Sequence, residues 1–170
     1  MSAEAESFAQ FIEAREQALQ RTAWLLTNDW ALAQDLVQTA LVRSWPHWGS
    51  IKRSDDPEIY VRRVLVNTWT TWRRRRWRAE KPSGMLVDHR SAGGDMAAEV
   101  ATRVAVAQVL GALTKRQRAV LVLRLFDDLP VAEVARILGC ATGTVKATMS
   151  QALTRLRRDP HLADLLEWRA

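Results

Sequence analysis

Apolar positions recur every three or four residues along most of the chain, the period of a helix with one buried face. Phe8, Phe11, Ile12, Leu19, Ala23 and Leu26 define the first such face. Ser7 and Gln10 stand before it with the S-x-x-Q spacing of a capping box. Asn28 and Asp29 interrupt the pattern and offer a cap to a second helix. There Leu32, Leu36, Ala40 and Leu41 point one way, while Gln34, Asp35, Gln38 and Arg43 point elsewhere. Pro46 and Gly49 predict its end. A loop, WGSIKRSDDP, follows, with Asp55, Asp56 and Pro57 as start signals for a third helix. Val61, Val64, Leu65 and Thr68 form its inner stripe, leaving Arg62, Arg63, Asn67, Thr70 and Arg74 largely outside. No convincing strand pattern or internal repeat occurs.

Residues 79–98 have no period and are punctuated by Pro82, Gly84, Gly93 and Gly94, which predicts a flexible linker. Twenty extended residues reach at most ~70 Å. Helices resume near Glu99, and Thr114 with Gln117 supplies a second capping box, T-x-x-Q. The predicted fold is therefore all-α. Two small helical domains, residues 1–78 and 99–170, flank the linker 79–98.

Within the second domain, Pro130 can open a short helix with Val131, Val134, Ala135 and Leu138 on its apolar face. Gly139 suits the left-handed residue that closes a helix. Thr142 can cap the next one, which turns Val145, Met149, Ala152, Leu153 and Leu156 inward. Helix, glycine turn and second helix make a helix-turn-helix, whose second helix enters the major groove. Thr144, Lys146, Ala147, Thr148 and Gln151 would then approach DNA, with Thr and Gln suited to base edges and Lys146 able to reach base or phosphate, and Arg155, Arg157 and Arg158 would meet phosphates. The plainer alternative is an ordinary helical hairpin in a bundle.

Charge sharpens this picture. The net charge of the 170 residues is +6, and it is not spread evenly. Residues 1–56 carry −3, 57–78 carry +6, 79–114 carry −1 and 115–170 carry +4. Two basic blocks separated by acidic or neutral sequence suggest two sites for a polyanion. The first contains VNTWTTWRRRRW, in which Arg73, Arg74, Arg75 and Arg76 lie between Trp72 and Trp77, with Trp69 one turn earlier. Arginines neutralise phosphates and aromatic rings stack on unpaired bases, so this run suits a melted strand. The alternative places Trp69 and Trp72 in the core, with the arginines as a solvated helix end.

Other chemistry is sparse. Cys140 is the single cysteine, and His47, His89 and His161 have no metal-ligand spacing, so no metal or other cofactor is expected. No paired-carboxylate, phosphate-loop or nucleophile–base motif marks an enzyme. The start, MSAEAESFAQF, lacks the basic and apolar regions of a secretory signal, and no stretch nears eighteen apolar residues. These features predict no membrane insertion and a cytoplasmic setting.

Four segments, RTAWLLTNDWALAQDLVQTALVRSW (21–45), DDPEIYVRRVLVNTWTTWRRRR (55–76), ALTKRQRAVLVLRLFDDL (112–129) and VARILGCATGTVKATMSQALTRLR (134–157), stand in one order around the linker. In this the chain resembles the extracytoplasmic-function sigma factors, and among them the actinobacterial sigma-E group. The resemblance implies a non-enzymatic protein that binds core RNA polymerase and directs it to promoter DNA, and that an anti-sigma protein can restrain. By resemblance, Asp35, Gln38, Leu41 and Arg43 meet polymerase, with Thr39 standing where many relatives have Glu. Arg62, Arg63, Asn67, Trp69, Thr70, Trp72 and Arg73–Arg76 would read and open the −10 element, Asn67 lining a pocket for a flipped base. Thr142, Thr144, Lys146, Ala147, Thr148, Gln151 and Arg155 would read the −35 duplex. Relatives usually read GTVKS, followed by arginines or glutamine along the same face; GTVKATMSQ has fewer cations, which implies a different −35 preference. A helix-turn-helix regulator that needs no polymerase would account for residues 130–156 alone, and a helical adaptor for the basic patches alone.

Overall fold

The computed structural model describes residues 2–53, 56–76 and 96–159, with side chains in 2–53, 56–72 and 100–159. Among them the regular elements are helices α1 (Ala3–Thr27), α2 (Trp30–Ser44), α3 (Trp48–Ile51), α4 (Pro57–Arg76), α5 (Met96–Gly111), α6 (Lys115–Leu121), α7 (Val131–Leu138) and α8 (Thr142–Arg158). A 3-10 turn (Trp45–His47) joins α2 to α3, and a π-helical turn (Val122–Phe126) extends α6. The all-helical expectation holds. Most of the expected linker, and Trp77, lie outside the described residues; its last three positions, 96–98, belong to α5.

Local chemistry accounts for most boundaries. Asn28 closes α1 in the left-handed region (φ 57°), and the Asp29 side chain accepts from Leu32 N at 2.9 Å to open α2. The Asp56 carboxylate accepts from Glu58 N and Ile59 N at the start of α4; Asp55 lies outside the described residues. The Thr114–Gln117 capping box forms in both directions. Ser7 and Gln10, by contrast, form no cap. Helix α1 starts earlier, where Ser2 Oγ accepts from Ala5 N at 3.2 Å and Glu4 and Glu6 favour the N-terminal dipole. Ser7 instead accepts from Trp48 Nε1 at 3.4 Å. Thr142 is the first residue of α8 rather than its cap; Ala141 holds that position in extended geometry. The expected loop after Pro46 is partly helical, because Trp48 anchors it against Phe8 and Phe11, with ring centroids 4.8 and 5.0 Å away.

Helices α1, α2 and α4 pack together, and α6, α7 and α8 form a second group. Leu19, Leu26, Leu36, Val61 and Leu65 are fully buried in the first, and Val120, Leu123, Val134, Ile137 and Leu156 in the second. Each such side chain contributes about 1.5–3 kcal/mol relative to exposure. The two groups also touch: α4 packs on α7, and α1 on α5 and on the π turn. Buried Arg118 donates from Nε to Leu25 O at 3.0 Å, near the C-terminal end of α1.

In the turn between α7 and α8, Gly139 has φ 63° and ψ 41°, and a methyl group there would meet nothing within 4 Å. The demand on this position is conformational rather than steric. Gly139→Ala should lower stability by about 1 kcal/mol, read as a fall in the thermal unfolding midpoint.

Candidate nucleic-acid and polymerase interfaces

Three surfaces take shape on the helices. The first runs along α2. Asp35 and Gln38 are exposed, and so are Val42 (68 %) and Trp45 (41 %), the latter at the head of the following turn. Their spacing of three, four and three places them in one stripe, ready for a partner helix. Leu41 is not part of it; it is 6 % exposed and belongs to the core. Arg43 sits beside the stripe, its Nη1 donating to Thr68 Oγ1 of α4 at 3.0 Å. Val42 was missed by sequence reading, although its position seven residues after Asp35 was a usable signal. Exposed branched apolar and aromatic side chains of this size are adhesive surface when they stand together.

The second surface is on α4. Arg63 and Asn67 are exposed, Thr70 is half-buried, and the three fall on one stripe. Thr71 is exposed beside them. Thr70 and Thr71 return their hydroxyls to the carbonyls of Val66 and Asn67, both at 2.9 Å, which leaves the Asn67 amide as the stripe's main polar reader. Trp72 is half-buried. The side chains of Arg73–Arg76, which close α4, lie outside the described residues. Two residues expected here point inward: Trp69 is 2 % exposed and Arg62 is 3 % exposed. The reason is that α4 is covered on two sides, by α2 and by α7, so its buried face is wider than its apolar stripe.

Arg62 ends in a polar cluster between the helix groups. Its Nη2 donates to Glu58 Oε1 at 2.8 Å, and its Nη1 donates to Thr22 Oγ1 at 2.8 Å and pairs with Asp127. Thr22 lies in α1 and also donates to the Asp127 carboxylate at 2.8 Å. Arg15 pairs with the other Glu58 oxygen at 3.1 Å. Burial pushes the Asp127 carboxyl above its ordinary range, while Arg62, the Thr22 hydroxyl and Arg21 pull it down and Glu58 adds a smaller upward push.

The third surface is α8 with its approach from α7. Thr142, Thr144, Lys146, Ala147, Gln151 and Arg155 are exposed, whereas Thr148 is 7 % exposed and packs inward with Val145 and Ala152. Gln151 and Arg155 line a shallow groove with Ser150, Thr154, Arg158 and Gln117 of α6. Gln117, Ser150 and Thr154 join this surface only through the fold. Gln117 was already explained as a cap, and the groove needs the tertiary contact of α6 with α8. Cys140 is half-buried in the turn, its N–H bonded to Ala135 O at 3.0 Å.

A helix-turn-helix behind a helical bundle with an exposed polar and apolar stripe defines a class of transcription protein, and comparison with known proteins agrees. The Sigma-70 region 2 model matches residues 11–79, and the Sigma-70, region 4 model matches residues 103–156. The chain is 39 % identical to the RNA polymerase sigma-E factor of Streptomyces avermitilis, over 93 % of this chain and 87 % of that one. It is 32 % identical to the ECF RNA polymerase sigma factor SigM of Mycobacterium tuberculosis, over 89 % of this chain and 76 % of that one. The fold matches that of the sigma factor RpoE from Bartonella quintana, solved with the anti-sigma factor NepR, with a TM-score of 0.77 and 23 % identity over 97 % of this chain and 99 % of that one. CnrH, solved with the cytosolic domain of CnrY, gives a TM-score of 0.65 and 20 % identity over 98 % of this chain and 91 % of that one. The chain belongs to the sigma-70 family, in its extracytoplasmic-function branch, whose members bind core RNA polymerase and promoter DNA and direct transcription initiation. No helix among the described residues is long and apolar enough to cross a membrane.

Proposed function

We propose that residues 1–78 hold the polymerase and open the −10 element, while residues 99–170 read the −35 element as duplex. The observation that carries this reading is the separation of exposed chemistry. The α2 stripe of Asp35, Gln38, Val42 and Trp45 suits a protein, the α4 stripe of Arg63, Asn67 and Thr70 leads into four arginines, and the α8 face offers Thr144, Lys146, Ala147 and Gln151. An acidic and amide-bearing stripe with two large apolar side chains favours a basic, partly apolar helix of polymerase. A polar stripe ending in Arg73–Arg76 favours an unpaired strand, whose phosphates lie to one side of its bases. The α8 face enters a major groove, with Lys146 and Gln151 as its principal hydrogen-bonding groups and Arg155 and Arg158 toward phosphate. Leu41, Trp69 and Thr148 support these surfaces from beneath.

Core polymerase, promoter duplex and a melted strand are thus the partners of this chain, and the chain itself supplies no catalytic group. An anti-sigma protein is a further proposed partner, favoured because the RpoE and CnrH structures were each solved with a second protein bound. A linker over residues 79–95 would let the two units occupy sites about two DNA turns apart, each turn being ~34–36 Å. The cytoplasm is where these partners meet.

Run-off transcription with purified core polymerase and genomic fragments tests the whole reading. Discrete transcripts that need the chain are expected; transcripts indifferent to its presence would refute it. Arg155→Ala should weaken duplex binding nearly equally on all sequences and reduce the log–log salt slope by about 1, measured by fluorescence anisotropy across a salt series.

A further inference from the structure

We propose that Arg62, Thr22 and Asp127 form an intramolecular latch that holds the two helix groups together and must break before the chain can engage polymerase and promoter.

Three observations point to this. First, the cluster joins three elements distant in sequence: Thr22 in α1, Arg62 in α4 and Asp127 just after the π turn. Its long-range members are 65 and 105 residues apart. Such a contact stabilises the arrangement of the groups rather than any one helix. Second, it is closed to water. The Asp127 side chain is 0 % exposed and that of Arg62 4 %. Third, the arrangement withdraws Arg62 from the basic face of α4, on which its neighbour Arg63 remains exposed. The π turn contributes directly: the Asp127 N–H bonds to Val122 O at 3.1 Å, one residue beyond α-helical spacing, and this widened turn delivers the carboxylate to α1 and α4.

The chemistry suits a latch more than a weld. A buried ion pair recovers little beyond the desolvation of its two charges, so it contributes geometry and modest net stability. That balance is visible in Asp127, where burial outweighs the attraction of Arg62. Losing one partner is different, because it strands a buried charge. The pair therefore selects the closed arrangement sharply, yet a partner that hydrates or binds Arg62 can release it. The inhibitory half of the proposal rests on the functional reading above, in which the two units act on separated DNA elements.

The test uses the full chain with Glu13→Cys in α1 and Ala132→Cys in α7, both exposed positions, on a Cys140→Ser background. Fluorescent labels there report the distance between the groups by single-molecule energy transfer. Asp127→Asn should raise the open-to-closed ratio by at least about tenfold, because the buried Nη1 edge of Arg62 then faces no carboxylate across the groups and keeps only Glu58 of its own helix. Association with core polymerase, measured on the same samples, should strengthen in proportion to the open fraction gained. Arg62→Leu with Asp127→Leu should close the chain again, since an apolar pair leaves no stranded charge. An unchanged distance distribution in Asp127→Asn with native helical circular dichroism overturns the latch. If Asp127→Asn does not fold, Thr22→Val, which keeps both charges, decides: a new open population supports the latch and its absence overturns it. Opening without any gain in polymerase association overturns the inhibitory role. Failure of the unaltered chain to bind polymerase at all would instead refute the functional reading.

Discussion

Trp69→Ala should destabilise the protein by about 3–5 kcal/mol, seen as a large fall in the thermal or denaturant midpoint. The sequence alone leaves Trp69 open between a stacking platform for unpaired DNA and a core residue. Its exposure of 2 % decides for the core. It sits in the same cluster as Leu65 and Val66 of its own helix, on the side where α4 is covered. Removing the indole leaves a cavity in a close-packed interior, and neighbours relax only partly into it. Trp69→Phe should recover most of the loss while leaving strand binding intact. If Trp69→Ala instead kept full stability and lost only affinity for single-stranded DNA, the burial of this residue would not persist in solution.

The second large effect is expected on α2. Asp35→Arg with Gln38→Ala should weaken capture by core polymerase roughly hundredfold, about 2.7 kcal/mol, measured by pull-down or biolayer interferometry without DNA. Both side chains are exposed, so the helical content should stay native. Like charge facing a basic surface is strongly unfavourable, whereas a solvated face would tolerate it. Binding within twofold of the unaltered chain would remove α2 from the polymerase interface. The Val42 and Trp45 side chains extend the same stripe, and their apolar area makes them the energetic anchors of such a contact.

How much of this was readable in the chain depends on the range of the interaction involved. Asp29, Thr114 with Gln117, and Gly139 work through their own helix ends, and their roles are legible within four residues of sequence. The inner stripe of Val61, Leu65 and Thr68 is legible for the same reason, since period 3.6 alone places it. Ser7 with Gln10 matched a cap pattern that the upstream Ser2 pre-empts, because a helix takes the first competent cap available to it. Trp48–Ile51 looked like a loop because its helical turn depends on an aromatic cluster forty residues away.

The site residues divide on the same principle. Asp35, Gln38, Arg63, Asn67, Thr144, Lys146 and Gln151 are exposed as a one-sided helix predicts. Arg62, Trp69 and Thr148 are not, because their helices are covered on more than one side, while Leu41 is buried on the inward face that its helical period gives it. No local pattern announces that Arg62 will meet Asp127, nor that VLRLF will widen into a π turn beside it. The ion pair needs the two helix groups to come together.

Permanganate footprinting of core polymerase with this chain on a responsive promoter tests the division of labour most directly, because it reports unpaired thymines base by base. Replacing Arg73–Arg76 by alanine should abolish reactive thymines near the −10 element, while nuclease protection of the −35 duplex persists. Lys146→Ala with Gln151→Ala should do the reverse, removing upstream protection first. Normal strand opening by the arginine-free chain, or loss of upstream protection from that same change, would contradict the assignment of strand and duplex to separate halves.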